Sequence, residues 1–280
     1  MPLNDKLEIE KNVKKSGSSF YWGMKLLPEE KRRAMFSIYA FCREVDDIAD
    51  DLKSSKTSKE KKLKLWKKDI EKIFKRSSLN TSLKRELNNS IMNFKLEKKD
   101  FFSIIDGMLM DVKSDIQFPS SKKFKLYCER VAVAVGYLSI KIFGVDTKIG
   151  NNYAYELGMA FQITNIVRDF HEDLENKRCY IPSEKFDKYR LKKNINELRY
   201  NSNDIQVVLQ EMLTIANKHF KKADLLLKDL DKKKMIGSII MRLFYKKIHS
   251  KMFKKKINLQ KKVKLNFFDK IFILFQFSLR

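Results

Sequence analysis

The strongest chemical signal in the sequence is a run of aspartates behind an arginine: Arg43, Asp46, Asp47, Asp50 and Asp51. Asp46 and Asp50 are spaced i, i+4, so their carboxylates share one helix face, and Arg43 lies one turn before Asp46 on that side. Like charges at this spacing destabilise an isolated helix by roughly a few tenths of a kcal/mol. Such a cluster is therefore typical of either a solvated helix end or a divalent cation site.

A second polar cluster favours the cation site. Gln162, Asn165, Asp169 and Asp173 are spaced i, i+3, i+7 and i+11, which predicts one stripe along one helix. The rest of that segment is apolar, and a core-facing stripe of amides and carboxylates is costly unless each group has a partner. We expect the two helices to face each other, so that the two aspartate pairs form a cage of oxygen ligands.

Oxygen ligands without histidine or cysteine favour Mg²⁺ or Mn²⁺ over zinc. Because Mg²⁺ is commonly shared between carboxylates and substrate phosphates, the cage indicates a diphosphate or nucleotide substrate. A di-iron site is excluded, since none of His171, His219 and His249 follows a glutamate by three residues. Neither G-x-x-x-x-G-K-[ST] nor G-x-G-x-x-G occurs, which argues against nucleotide hydrolysis and a dinucleotide-binding fold.

The elements that must position these groups are predicted to be helices. Pro28 suits a first helical turn, and Glu29 and Glu30 suit the positive end of the helix dipole. Helical patterns cover 28–51, 62–76, 82–95, 97–112, 122–143, 153–175, 203–230 and 232–254. No alternating strand pattern and no internal repeat is present. The fold class is therefore predicted to be all-α, with residues 1–280 forming a single helical domain.

The composition agrees with long helices and narrows the choice of partners. The 280 residues include only eight glycines and four prolines, which argues against turn-rich β folds. Lys and Arg number 60 against 35 acidic residues, a net charge of +25 that favours anionic partners unless it only reflects lysine-rich solvated faces. Only 12 of the 60 are arginine, which argues against nucleic acid as the partner. Three cysteines without a C-x-x-C motif indicate a reducing compartment.

The C-terminal tail, 246–280, is basic and then apolar. Residues 246–264 contain nine lysines and no carboxylate, and FFDKIFILFQFSL comes after them. This stretch is too short to span a bilayer, but it suits the surface of an anionic membrane or, alternatively, a last core-packing helix with a solvated lysine face. Because the N-terminus lacks the apolar core of a signal peptide, we expect a cytoplasmic protein, with the inner face of the cytoplasmic membrane as a candidate peripheral contact.

The motifs together resemble a known family, the head-to-head trans-isoprenyl diphosphate synthases, or squalene/phytoene synthases. The resemblance rests on residues 16–51, 127–144 and 156–182, including YAFCREVDDIAD, VAVAVGYLSIKIFG and the second DxxxD motif in NIVRDFHEDLE. Within the family the chain is most similar to the bacterial members that form presqualene diphosphate. The resemblance implies an isoprenoid-synthase-type helical bundle around a central apolar cavity.

The resemblance also implies residue roles. It implies that five residues hold the metal on the substrate diphosphates: Asp46, Asp50, Asn165, Asp169 and Asp173. It implies diphosphate and substrate contacts from Arg43, Arg168, Ser16, Ser18, Ser19 and Phe20. It implies positions near the reacting carbons or the diphosphate for Tyr39, Tyr127, Gln162 and Tyr245.

The implied activity is condensation of two farnesyl diphosphates into presqualene diphosphate with release of diphosphate, in squalene and hopanoid biosynthesis. The implied cofactor is Mg²⁺, with Mn²⁺ as an alternative and no NADPH. Synthesis of phytoene or dehydrosqualene is the alternative activity, because the sequence leaves open whether the prenyl chains have 15 or 20 carbons. Outside the family, a catalytically silent basic helical scaffold that binds acidic membranes or RNA also fits the charge. The oligomeric state is not predicted.

Overall fold

The computed structural model describes residues 3–18, 20–77, 79–113, 116–198, 202–253 and 262–278. Within these ranges the chain is helical and contains no β-strand; one isolated bridge joins Gln117 to Cys179. The all-α prediction is thus confirmed. The described helices are α1 Leu3–Lys15, α2 Phe20–Lys25, α3 Glu29–Asp50, α4 Lys56–Phe74, α5 Ser82–Phe94, α6 Lys98–Lys113, α7 Ser121–Cys128, α8 Ala134–Phe143, α9 Lys148–Arg168, α10 Phe170–Glu175, α11 Ser183–Lys188, α12 Asn203–Leu226, α13 Ile236–Phe253 and α14 Phe267–Ser278.

Helix α3 carries the first aspartate cluster and begins and ends within one residue of the predicted bounds, 28–51. Its buried face includes Ile38, Phe41 and Val45. It ends because Asp51 has an extended backbone, with φ −62° and ψ 101°. The Asp51 carboxylate accepts hydrogen bonds from the Ser54 hydroxyl at 2.6 Å and the Lys53 amide at 2.9 Å. Asp51 therefore stabilises the turn after α3, which leaves Asp46 and Asp50 on its last two turns.

The second aspartate cluster does not lie on one unbroken helix, so the prediction of a single helix over 153–175 is wrong. Helix α9 ends at Arg168, and α10 begins at Phe170. Between them, Asp169 leaves the helical conformation at φ −97° and ψ 3° while its carboxylate accepts two hydrogen bonds from the Arg168 guanidinium, at 2.8 and 2.7 Å. This local pairing competes with regular helical geometry, and Asp173 consequently belongs to α10.

The predicted helix over 122–143 is also interrupted, although the chain stays helical throughout. A π-helical turn over Glu129–Val133 joins α7 to α8. Glycines on two neighbouring helices make room for it: a Cβ atom at Gly107 would lie 2.5 Å from Val131 Cγ1, and one at Gly158 would lie 2.9 Å from Val133 Cα. The wide turn and the two glycines let α6 and α9 approach the same segment closely.

Two helix starts differ from the sequence prediction because of N-cap residues. Helix α4 begins at Lys56 within the predicted polar break over 53–62, where the Ser55 hydroxyl accepts from the Ser58 amide at 3.2 Å. Helix α9 begins at Lys148, since the Thr147 hydroxyl accepts from the Gly150 amide at 3.0 Å. In both cases the N-cap hydrogen bond stabilises a first helical turn that has few apolar residues.

Helix α1 was not predicted, because its apolar pattern is weak. It packs on α3 and α5 through the buried side chains of Ile9 and Val13. Its buried Asp5 carboxylate accepts two hydrogen bonds from the Arg85 guanidinium on α5, both at 2.7 Å. These hydrogen bonds lower the pKa of Asp5 to about 2. The pairing fixes α1, whose other end leads to Ser16.

The C-terminal part of the chain folds back as α13 and α14. Helix α13 contacts α2 and α9, and α14 packs on α13 with Ile273 buried. Asp269 on α14 forms ion pairs with Lys247 and Lys251 on α13. Over the ranges that the structure describes, no helix is both long enough and apolar enough to cross a membrane.

The Asp5–Arg85 pair predicts a pH-dependent stability. We expect Asp5→Asn to lower the free energy of unfolding at pH 7 by about 1–3 kcal/mol, because Arg85 loses its charged acceptor. Since the pKa of Asp5 lies at about 2 in the folded chain and 3.8 when unperturbed, this stabilisation is complete above pH 4 and is lost between pH 4 and pH 2. Urea titrations of the unmodified protein and the variant at pH 7, 4 and 3 measure this difference in the free energy of unfolding. The matched control is Asp229→Asn, at an exposed position; equal stability of the two variants at pH 7 would contradict the prediction.

Candidate active site

One cavity of about 870 Å³ brings the predicted site residues together. Ser19 lies outside the described residues. The other predicted residues all line this cavity: Ser16, Ser18, Phe20, Tyr39, Arg43, Asp46, Asp50, Tyr127, Gln162, Asn165, Arg168, Asp169, Asp173 and Tyr245. Residues more than two hundred positions apart in the chain therefore meet at one site.

The first acidic cluster is partly neutralised by arginine. Arg43 donates to Asp46 at 3.3 Å and forms an ion pair with Asp47 at 2.7 Å. Burial, together with the charge of Asp50, raises the pKa of Asp46 to about 6 despite the nearby Arg43. A carboxylate with a raised pKa gains more than an exposed one from an added cation. An added positive partner would therefore stabilise the charged form of Asp46.

The second acidic cluster has the same character. Besides its two hydrogen bonds from Arg168, Asp169 forms an ion pair with Lys262 at 3.0 Å, and Lys262 also reaches Glu172 at 2.9 Å. Burial and the charge of Asp169 raise the pKa of Asp173 to about 8. Asp169 is therefore well paired, whereas Asp173 lies in an environment that disfavours its charge.

Arg178 joins the two clusters and was missed by the sequence analysis. Its guanidinium donates to Asp50 at 2.7 Å, and its side chain is only 18% exposed. Its charge lowers the pKa of both Asp46 and Asp173, against the larger effect of burial. The available signal was its position in the matched segment 156–182, four residues before Pro182.

A buried carboxylate behind the clusters was also missed. Asp111 accepts hydrogen bonds from the Tyr127 hydroxyl at 3.1 Å and the Tyr180 hydroxyl at 2.7 Å. The two tyrosine rings are stacked, with centroids 4.9 Å apart. Burial raises the pKa of Asp111 to about 7, although both hydroxyls and Arg178 act against the rise. The group fixes the ring and the hydroxyl of Tyr127 at the cavity.

Aromatic side chains form another part of the wall. Phe20 lies with its ring centroid 6.2 Å from Tyr39 and 5.6 Å from Tyr245, and Tyr245 is stacked on Phe161 at 4.0 Å. The hydroxyls of Ser16 and Tyr39 lie 3.1 Å apart. The structure thus brings Tyr245 from α13 to the same wall as the N-terminal serine stretch.

Apolar side chains from three elements line a further part of the cavity. Ile104 and Met108 come from α6, Val131 from the π-helical turn and Ile166 from α9. Ile104, Met108 and Ile166 are buried. The cavity therefore combines charged groups with an interior suited to a hydrocarbon chain.

The donor set fits an oxygen-preferring divalent cation, and both aspartate pairs line the same cavity. Among the described residues, no three carboxylate, imidazole or thiol groups converge into a metal cluster. Asp50 pairs with Arg178, and Asp169 pairs with Arg168. The fit rests on the oxygen donors and on the buried Oδ1 atom of Asn165, which has no hydrogen-bond partner.

Known proteins share this fold and much of this sequence. The chain is 39% identical to the presqualene diphosphate synthase of Zymomonas mobilis over 250 residues, 89% of this chain and 85% of that protein. It is 38% identical to the presqualene diphosphate synthase of Rhodopseudomonas palustris over 208 residues, 74% of each chain. Phytoene synthases match at 31–33% identity.

A solved structure shares the fold over nearly the whole chain. The crystal structure of a dehydrosqualene synthase in complex with a ligand superposes with a TM-score of 0.87 at 22% sequence identity, covering 99% of this chain and 96% of that one. The model of the squalene/phytoene synthase family matches residues 13–269. That match covers most of the chain and includes both acidic clusters. The chain therefore belongs to the squalene/phytoene synthase family.

Proposed function

We propose that this protein is a prenyltransferase that condenses two farnesyl diphosphates head to head into presqualene diphosphate and releases one diphosphate. The observation that carries the proposal is the meeting of both acidic clusters, Arg43 and Arg168 at one cavity that apolar side chains also line. A diphosphate needs cationic partners, and a prenyl chain needs a dry hydrocarbon surface. Two relatives of the chain are named presqualene diphosphate synthase, which agrees with this product.

The divalent cation in this proposal is Mg²⁺, with Mn²⁺ as an alternative. Asp46, Asp50, Asn165, Asp169 and Asp173 would hold it, since their oxygens line the cavity. When bound, the cation supplies positive charge that stabilises a leaving diphosphate. The Asp46 and Asp173 carboxylates favour such a partner, because burial and the charge of a neighbouring aspartate disfavour their charge and raise their pKa.

The arginines and the cavity wall perform the remaining steps of the proposed reaction. Arg43 and Arg168 stabilise the negative charge that develops on the diphosphate as the allylic C–O bond breaks. Ile104, Met108 and Val131 keep water from the resulting carbocation, which water would otherwise capture. An aromatic face within reach of the cation stabilises it by about 0.5–2 kcal/mol.

The second prenyl double bond then attacks, and loss of one proton closes a cyclopropane ring. Tyr39, Tyr127, Gln162 and Tyr245 are proposed to contact the reacting carbons or the diphosphate. Either the released diphosphate or a tyrosine hydroxyl takes the proton. Asp111 is a positioning residue in this scheme, because it holds the Tyr127 hydroxyl by a hydrogen bond of 3.1 Å. Ser16, Ser18, Ser19 and Phe20 complete the proposed substrate contacts.

The proposed reaction stops at the cyclopropyl diphosphate, without NADPH, as a step of squalene and hopanoid biosynthesis. The sequence contains no G-x-G-x-x-G motif that would hold a dinucleotide.

We further propose that residues 1–280 form one domain. We propose that it acts in the cytoplasm, in peripheral contact with the inner face of the cytoplasmic membrane, and not on nucleic acid. Phytoene or dehydrosqualene synthesis remains the second candidate, supported by the phytoene synthases among the relatives.

A product assay tests the activity. Purified protein with Mg²⁺ and farnesyl diphosphate is expected to form presqualene diphosphate, identified by mass, and chelation of the metal is expected to stop turnover. The same assay with geranylgeranyl diphosphate separates the two candidates, because a 20-carbon substrate turned over faster would favour phytoene synthesis. Absence of turnover with either substrate, while metal-independent RNA binding persists, would favour the catalytically silent scaffold.

Metal binding can be measured without turnover. We expect Asp46→Asn and Asn165→Ala each to weaken Mn²⁺ binding by roughly tenfold, as followed by electron paramagnetic resonance of free Mn²⁺, because each removes an oxygen donor. Asp229→Asn, at an exposed position outside the residues that line the cavity, is the control. Unchanged Mn²⁺ affinity in both site variants would place the metal elsewhere.

The pairing of Arg178 with Asp50 predicts a positioning role. We expect Arg178→Gln to lower kcat by roughly tenfold to a hundredfold, because Asp50 loses the group that orients it. Its Mn²⁺ affinity should also change, which a purely stabilising residue would not cause. Arg190→Gln, at an exposed position, should leave both quantities near those of the unmodified protein. Equal kinetics for the two variants would show that Arg178 does not orient the cluster.

A further inference from the structure

The π-helical turn over Glu129–Val133 contacts α6 and α9, and it meets each of them at a glycine. A Cβ atom at Gly158 on α9 would lie 2.9 Å from Val133 Cα and 3.0 Å from the backbone nitrogen of the same residue. A Cβ atom at Gly107 on α6 would lie 2.5 Å from Val131 Cγ1. The closest contact to α9 is therefore made by the backbone of the turn, whereas the closest contact to α6 is made by the tip of one side chain.

Gly107 leaves a gap on the cavity-facing side of α6, and Val131 fills it. Ile104, Met108 and Asp111 of this helix all line the active-site cavity, as does Val131. Gly107 lies on their side of α6, because the four positions are spaced i, i+3, i+4 and i+7. Since glycine has no Cβ atom, Val131 can pack directly on the backbone of α6. The cavity wall at this level is therefore formed by the two methyl groups of Val131.

The side chain of Val131 can move away from Gly107 only toward the cavity. Apart from the cavity, it packs against the hydrophobic core. The turn that carries it is closed by a hydrogen bond from the Ala134 amide to the Glu129 carbonyl. A valine in helical backbone also has one strongly preferred χ1 rotamer. A methyl group added at position 107 would consequently push Val131 into the open space of the cavity.

The contact between Gly107 and Val131 lies between the charged groups and the apolar side chains of the cavity. Asp111 is close enough to the acidic clusters for the charge of Arg178 to lower its pKa, against the larger effect of burial. Gly107 precedes Asp111 by four residues, which is about 6 Å along α6, and Ile104 lies almost one turn further. In the proposed function, on which this inference rests, the diphosphate binds at the charged groups and the prenyl chain passes Val131.

We propose that Val131, packed on Gly107, is a specificity-determining residue that sets how much prenyl hydrocarbon the cavity accepts, and thereby the preference between chains of 15 and 20 carbons. Its two methyl groups fill room that a longer chain would need. The bare glycine behind it keeps these methyl groups far enough back for the shorter chain. Removing the methyl groups enlarges the cavity, and adding a methyl group at position 107 reduces it.

Binding of non-reacting thiodiphosphate analogues tests this role without turnover. The affinities of the full-length protein for farnesyl and geranylgeranyl thiodiphosphate are measured by isothermal titration calorimetry with Mg²⁺ present. Val131→Ala is expected to raise the ratio of geranylgeranyl to farnesyl affinity by roughly tenfold, because one methylene group in an apolar pocket changes discrimination by at least that factor. Gly107→Ala is expected to weaken both analogues, and the longer one by roughly tenfold more.

Two further variants separate this role from a general loss of stability. In the double variant Gly107→Ala with Val131→Ala, the added methyl group no longer meets Cγ1. Its farnesyl affinity should therefore return to within roughly threefold of that of the unmodified protein, far from the sum of the single effects. Val133→Ala is the matched control, because Val133 is a buried valine of the same turn that is not among the described residues lining the cavity. It should lower the urea midpoint of unfolding and leave the affinity ratio unchanged.

Three results would overturn the proposal: an unchanged affinity ratio in Val131→Ala, an equal change of the ratio in Val133→Ala, or no recovery in the double variant. Val131→Ala keeps the test decisive if Gly107→Ala fails to fold, as judged by circular dichroism. Any of these results, obtained while the unmodified protein binds the analogues, leaves the proposed function intact. Binding of neither analogue by the unmodified protein would contradict the proposed function, and the role of Val131 with it.

Discussion

The structure depends on one electrostatic constraint, the concentration of carboxylates around one cavity that apolar side chains also line. Asp46, Asp111 and Asp173 all have a raised pKa, and in each case burial is the largest cause. Buried carboxylates destabilise a fold unless cations or hydrogen-bond donors compensate them. Arginines, Lys262 and two tyrosine hydroxyls provide that compensation here. The site is thus stable as a network, and no single pair explains it.

The helices meet this constraint by ending at the same place. Helix α3 ends at Asp50, and α9 ends at Arg168, immediately before Asp169. Arg178, in the connection after α10, closes the gap by reaching back to Asp50. The termini of three segments therefore supply the charged groups, while the helix interiors supply the apolar wall. Because the charged groups and the apolar side chains come from different parts of the helices, one region of the cavity is charged and another excludes water.

Much of this arrangement could be predicted from the sequence, and the failures have physical reasons. The helix of Asp46 and Asp50 was predictable because Pro28 and a regular apolar stripe mark it. The break at Asp169 was not, because it depends on the pairing of Arg168 with its neighbour rather than on any helix-breaking residue. Asp111 and Arg178 were missed since neither belongs to a spaced motif; only the folded chain brings them to Tyr127 and Asp50. Helix α1 was missed because its apolar pattern is weak and because Arg85, which pairs with its Asp5, is eighty positions away.

The π-helical turn between α7 and α8 limits the sequence changes that this part of the cavity wall can tolerate. A π turn holds one more residue than an α turn, so it rotates the downstream helix by about 100° relative to a regular helix. Tyr127 before the turn and Val131 within it both line the cavity, while Val133 packs against Gly158. Deleting a single residue here would turn α8 by that angle and move its side chains away from α9. Related sequences are therefore expected to differ in this segment by substitutions and to keep the same number of residues between Cys128 and Ala134.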